Sequence, residues 1–124
     1  MWLADSNILI RGASAPDHPL QEWLQDQLPA ISVVTRIEVL GYHRLRADEE
    51  ILLQVLLSSF DEYPISAQTV ALAIDLRRKR KMSLGDALIA ATCLEHGLKL
   101  ATRNAKDFDW IAGLTVDALG KFAA

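Results

Sequence analysis

The sequence predicts an α/β fold around a mostly parallel sheet of about five strands, and three observations carry that prediction. Short apolar segments alternate with longer stretches of helical periodicity along the whole chain. The strand segments, such as Ala30-Ile31-Ser32-Val33-Val34, are apolar without alternation, the pattern of a sheet covered on both faces. The stretch from Ser83 to Gly97 is apolar almost all the way round and rich in alanine, so it reads as a helix buried among neighbours.

In chain order, Trp2-Leu3-Ala4-Asp5 reads as a short buried strand that ends on an acid. Ser6-Asn7 are turn residues, and Ile8-Leu9-Ile10 begins a short helical segment. A loop from Gly12 to Pro16 leads to Asp17, an N-cap with Pro19 two residues on, and then to a helix through about Leu28. Its Leu20, Trp23, Leu24 and Leu28 are helically spaced. Pro29 ends it, and residues 30–34 form the second strand. Thr35-Arg36-Ile37-Glu38 has the form of a capping box and opens a helix running through Tyr42 toward Leu45. Asp48 is the predicted cap of the next helix, which carries Ile51, Leu52, Val55 and Leu56 on one face. Phe60 to Ile65 is the third strand, with Pro64 placing it near an edge. Ser66 caps a helix bearing Val70, Leu72, Ala73 and Leu76, which ends in the run Arg77-Arg78-Lys79-Arg80-Lys81. Ser83 as N-cap and Gly97 just past the end bound the buried helix. Leu98 to Thr102 is the fourth strand, and Leu114-Thr115-Val116 a weaker fifth.

Composition narrows the function classes. The 124 residues fit one domain, predicted to span 1–124. Hydrophobic residues at 51% and charged residues at 23% exclude a disordered chain. The lone Cys93 excludes an internal disulfide and suits a reducing cytoplasm. No apolar run approaches the ~20 residues that span a bilayer, and the opening residues do not read as a signal peptide. The expectation is a cytoplasmic protein without a membrane partner. A net charge of −3 gives no global attraction to nucleic acid, so any such contact must come from a local basic patch.

Five residues are placed where chemistry is expected. Asp5 ends the first strand, and Glu38 lies about one helical turn past the second. Asn104 and Asp107 lie just past the fourth strand, and Asp86 stands in the first turn of the helix leading into it, where the macrodipole favours an anion. Open parallel sheets bind ligands outside the carboxyl ends of their strands. Topology alone therefore brings these positions to one rim, and Asp86 joins them if its helix packs beside the first strand. Clustered carboxylates repel one another and resist desolvation, and a hard divalent cation makes them compatible. Mg²⁺ and Mn²⁺ take oxygen ligands and promote water attack in phosphoryl displacement. Singly, each acid also has an ordinary structural reading: capping-box member for Glu38 and Asp86, turn residue for Asp5, cap of the turn holding Phe108 and Trp110 for Asp107. Their coincidence at strand ends favours a metal centre. The histidines His18, His43 and His96 are scattered and have no zinc-site spacing, and Trp2 and Trp23 read as core.

At these residues the chain resembles a known family. Leu3-Ala4-Asp5-Ser6-Asn7-Ile8-Leu9-Ile10 resembles the hydrophobic-Asp-[Ser/Thr]-Asn-hydrophobic opening of PIN-domain nucleases. Ser32 to Tyr42, centred on Glu38, resembles their second motif. Asp86 to Thr92 with Glu95-His96-Gly97, and Leu100 to Phe108, are similar to their third and fourth. The likeness runs from Leu3 to about Leu114, and within the family the chain is most similar to VapC-type toxins of type II toxin–antitoxin pairs.

The resemblance implies a three-layer α/β/α sandwich and a Mg²⁺- or Mn²⁺-dependent endoribonuclease. It implies that Asp5, Glu38 and Asp86 take the acidic positions of one tight metal site, with Asp5 and Asp86 holding the ion most directly, that Glu38 orients or deprotonates the attacking water, and that Asn104 or Asp107 completes the metal's shell. Many members carry Asp where this chain has Asn104, which brings a carbonyl ligand but no charge. The resemblance further implies an RNA substrate, a cognate antitoxin that lays an amphipathic segment in a groove, and a homodimer. Leu52, Val55, Leu56, Val70, Leu72 and Leu76 supply more apolar surface than a small sheet covers, or else simply pack on it. Arg77, Arg78 and Arg80 of the basic run read as RNA-phosphate contacts or as complements to a helix end, and Arg103 lies nearer the acids. A PIN nuclease of RNA processing or DNA-associated regulation, and a silent binding module whose acids are only caps, are the other readings.

Overall fold

A computed structural model describes residues 1–122, so the last two residues of the predicted 1–124 domain lie outside the described residues. Its strands are β1 (Trp2–Ala4), β2 (Ile31–Ser32), β3 (Glu62–Tyr63), β4 (Lys99–Ala101) and β5 (Val116–Asp117). Its helices are α1 (Ser6–Gly12), α2 (Pro19–Gln27), α3 (Val33–Leu40), α4 (Ala47–Ser58), α5 (Ala67–Lys79) and α6 (Leu84–His96). Every strand pair is parallel.

The sheet is smaller than predicted. The strands divide into a three-stranded sheet, β1-β4-β5, and a two-stranded one, β2-β3. A single parallel bridge between Leu3 and Ala30 links them, carried by Ala4 N–H to the Ala30 carbonyl at 3.0 Å and Ala30 N–H to the Trp2 carbonyl at 2.8 Å. The strands stop short because the residues that end them are helix caps. Asp5 caps α1 directly after β1, and Ser32 caps α3, its hydroxyl accepting the Val34 N–H at 3.1 Å. β3 pairs on one side only, which agrees with the edge position read from Pro64.

Three predicted helix starts move. α3 begins at Val33, not Thr35: the Ser32 hydroxyl takes the Val34 N–H, and Thr35 falls inside the first turn, where its buried hydroxyl has no hydrogen-bond partner among the described residues. α2 is capped by His18, whose Nδ1 accepts the Leu20 N–H at 3.2 Å, while Asp17 takes a left-handed turn conformation at φ 55°. α4 starts after Arg46, whose N–H is held by the Glu49 carboxylate at 3.2 Å, and Asp48 pairs instead with the Arg46 guanidinium at 3.1 Å. The α6 boundaries stand as read. Ser83 Oγ accepts the Asp86 N–H at 3.1 Å, and Gly97 closes the helix in the left-handed region at φ 66°, where a side chain would be strained.

Two layers of helix cover the sheet, because strand residues alternate faces. Ala4, Ile31 and Ala101 point into a core shared with Ile8, Leu24, Val39 and Leu53. Leu3, Ala30 and Leu100 point the other way, against Ile89, Ala90, Cys93 and Phe108. Trp2 and Trp23 meet edge to face at 5.6 Å, a packing role as expected. Among the described residues, no helix is long and apolar enough to cross a membrane.

Candidate active site

With the bridge included, the strand order runs β3-β2-β1-β4-β5, so the chain's direction across the sheet reverses at β1. The carboxyl ends of β1 and β4 therefore form the crevice where ligands bind in open parallel sheets. Asp5 stands at its floor, 5% exposed. Its Oδ1 accepts the Ser6 N–H at 2.8 Å, and its Oδ2 accepts the Thr102 hydroxyl at 2.8 Å and the Asn7 amide at 3.4 Å. Asn7 also donates to Thr102 Oγ1 at 3.2 Å and accepts the Arg103 N–H at 3.0 Å. These bonds tie two strand ends together across a sequence separation of 97 residues. Ser6, Asn7 and Thr102, which local sequence rules place in a turn and a strand, are the residues that hold the Asp5 carboxylate. The polar Thr closing an apolar strand was the available signal.

Glu38 and Asp86 approach from opposite sides. Glu38 lies in the second turn of α3, beyond the reach of any capping box at that helix's start. A Cβ built on Gly85 would stand 3.2 Å from Glu38 Oε2, so the carboxylate lies over the first turn of α6, beside Asp86. Gly85 is thus the residue that lets the two helices bring their acids together.

The electrostatics bind these three acids into one site. Burial pushes the Asp5 carboxyl above its ordinary value, partly offset by the bonds from Thr102 and Ser6. Glu38 is raised by desolvation, then by the charge on Asp5, with Asp86 adding and a hydrogen bond with the Ser6 side chain opposing. Asp86 is raised by desolvation, then by Asp5, and further by Asp107. None of the three forms an ion pair among the described residues. Asp107 thus belongs to the same anionic field. Asn104 ends on the adjacent exposed turn, where its N–H bonds Thr102 Oγ1 at 3.2 Å and its side chain caps nothing.

This donor set is all oxygen and carries uncompensated negative charge, which suits a hard divalent cation and not zinc. Among the described residues, no three Asp, Glu, His or Cys side chains converge closely enough to ligate one ion directly. Mg²⁺ keeps several waters and takes only one or two carboxylates, so it does not need such a cluster. Cys93 is no alternative nucleophile: burial, with the Asp5 charge adding, pushes its thiol up to about 12.

The cations stand beside the acids. A cleft of about 600 Å³ is lined by Asp86 and Asp107 together with Arg77, Arg80, Lys81 and Lys106. Arg103 lies in a neighbouring hollow with Asn104 and Asp107. Arg78, from the same basic run, does not line the cleft.

Two results are expected from this geometry. Thr102→Val removes a hydrogen bond to a buried carboxylate, and should cost about 1.5–3 kcal/mol in chemical denaturation. The second concerns pH. A carboxyl whose folded pKa is raised contributes stability that is present below its unfolded pKa, about 4, and is lost as pH rises through the folded value. In chelator, the melting temperature should therefore fall relative to Glu38→Gln as pH rises from about 4 toward neutrality. Mn²⁺ should reverse the fall in the parent.

Known proteins agree with this architecture. The family model described as PIN domain matches residues 3–114. Ribonuclease VapC10 of Mycobacterium tuberculosis is 37% identical over 116 residues, covering 87% of this chain and 86% of that protein. A toxin–antitoxin complex from Klebsiella pneumoniae superposes with a TM-score of 0.74 at 35% identity, over 93% of this chain and 96% of that one. DNA-bound VapBC from Salmonella typhimurium shares the fold, with a TM-score of 0.78 at 20% identity over 94% of this chain and 96% of its own. The matched segment holds all four acids and the strand ends that carry them, and by this likeness the chain belongs to the PIN-domain family.

Proposed function

We propose that this chain is a Mg²⁺- or Mn²⁺-dependent endoribonuclease and the toxin member of a toxin–antitoxin pair. One observation carries the reading most. Asp5, Glu38 and Asp86 come together from three distant elements: Glu38 lies over the first turn of α6 beside Asp86, the Asp5 charge raises both, and among the described residues no cation pairs with any of the three. The ribonuclease related at 37% identity supports RNA as the substrate, and the Klebsiella complex supports the antitoxin partner.

Asp5 and Asp86 would hold the ion, with Asp107 completing its shell through water, in preference to Asn104. The ion when bound supplies charge neutralisation at the phosphoryl group and a more acidic water. Glu38, with its raised pKa, is suited to take the proton of the water that attacks phosphorus. The water oxygen–phosphorus bond forms as the ester phosphorus–oxygen bond breaks. Arg77, Arg80, Lys81 and Lys106 hold the flanking phosphates, and Arg103 lies nearest the scissile one.

Partners would cover what the chain itself leaves bare. Leu56 and Leu76 are buried in the core, but Ile51, Val55, Val70 and Ile74 are exposed on α4 and α5. The antitoxin segment and a second copy of the chain are the proposed occupants.

The test is purified protein with total RNA, with and without Mg²⁺, beside Asp86→Asn. Cleavage that needs the ion and disappears in the variant is the expected result. Equal cleavage by both proteins would point to a contaminant and sink the reading.

A further inference from the structure

The basic cleft contains an aromatic residue that phosphate binding does not use. Trp110 lines it, half-buried, along with the cations and the acids. Its indole N–H donates to the Asp107 carbonyl at 3.0 Å, which fixes the ring's orientation beside that acid. The Arg80 guanidinium lies over the ring, 5.3 Å from its centroid. Among the described residues Arg80 pairs with no carboxylate, so this cation–π contact is its side-chain anchor. Both residues also line a second hollow of about 310 Å³, walled by Leu72, Leu76, Leu94 and Ile111. Part of the ring packs against the core that holds Leu76, Ile89 and Leu100, but that packing accounts for neither the N–H held at an acid nor the displaceable cation over the part that lines the cleft.

We propose that Trp110 is a stacking platform for one unpaired nucleobase of the substrate beside the scissile phosphate, and that Arg80 occupies the platform until RNA arrives. The inference rests on the ribonuclease reading and adds a specificity residue to it. Stacking a base on an indole is worth more than an exposed cation–π contact, so the base wins the ring. The guanidinium released is free to make bidentate bonds to a phosphate, a stronger interaction than the one it leaves. Because a base must be unstacked from its neighbours to lie on Trp110, the substrate at this point is single-stranded.

The experiment compares Trp110→Leu and Trp110→Phe with the parent on a short unpaired RNA and on the same sequence closed into a hairpin stem, with Mg²⁺. Trp110→Leu should raise KM for the unpaired RNA about ten- to a hundredfold, with a smaller change in kcat. Trp110→Phe keeps a ring but no N–H, and should recover most of that loss. The parent's preference for unpaired RNA should shrink in Trp110→Leu. An unchanged KM, or equal losses in both variants, would overturn the proposal, the latter because it would make the Asp107 bond the residue's whole role. Should Trp110→Leu fail to fold, fluorescence decides. RNA should quench the parent's emission more than that of Trp110→Phe, and equal quenching would refute stacking. A parent that quenches but never cleaves RNA would defeat the ribonuclease reading while leaving the platform standing.

Discussion

Asp86→Asn is expected to abolish most RNA cleavage while making the metal-free protein more resistant to heat. The two effects have one cause. In the parent, the Asp86 carboxylate is partly desolvated at the start of α6 and faces the charges of Asp5 and Asp107. Ionising it there works against the fold, although the helix N-terminus offsets some of that cost. The amide is nearly isosteric and removes the repulsion, so melting in chelator at neutral pH should rise. The same change takes a charge from the place where a cation must bind and phosphoryl charge must be neutralised. Losing one preorganised electrostatic group of this kind typically lowers kcat by about 10²–10³-fold. Stabilisation by added Mn²⁺ should shrink in parallel, because ligand linkage scales with affinity and gives about 2.7 kcal/mol at a hundredfold excess over Kd. A variant that melts lower than the parent in chelator and still gains the full Mn²⁺ shift would show that Asp86 is a structural cap and nothing more.

What could be read from the chain in advance follows from the range of the signals. The α6 boundaries were legible because Ser83 and Gly97 act within one turn of themselves, through a hydroxyl bond and a left-handed backbone. The neighbouring cap at Thr35 was misplaced by the same local rules. Ser32 and Thr35 are both acceptable caps and both are buried in the folded chain; what separates them is that the backbone is still extended at Ser32, whose hydroxyl takes the Val34 N–H, while Thr35 lies inside the first turn. Asp17 and Asp48 failed similarly, one in a left-handed turn and the other drawn to Arg46. At the site, the rim could be anticipated, since parallel strands end on one side. The Asp5–Thr102–Asn7 bonds could not, because nothing local connects residues 97 positions apart. Nor could the part Asp107 plays in the field at Asp86, which depends on the one turn of 3-10 helix over Ala105–Asp107.

That turn is held by a single large side chain, and its removal should be the most destabilising change near the site. Phe108 follows Asp107 directly and is completely buried. It packs in the core face that contains Leu3, Leu76, Ile89 and Leu100, while its N–H bonds the Ala105 carbonyl at 3.0 Å and its carbonyl accepts the Ile111 N–H at 3.1 Å. Phe108→Ala leaves a cavity between the sheet and α6 that rigid strands cannot close. The expected cost is about 3–5 kcal/mol by chemical denaturation, a large fraction of the roughly 5–15 kcal/mol that holds a domain of this kind together. Function should suffer separately. Asp107 and Trp110 flank the anchor, so at a temperature where the variant is still folded its apparent Mg²⁺ affinity and its affinity for RNA should both weaken. Phe108→Leu fills most of the cavity and should recover most of both. If Phe108→Ala instead costs less than about 1 kcal/mol, the figure for a poorly packed or surface position, then the turn is not anchored through this ring. The placement of Asp107 in the acidic cluster would then need another cause.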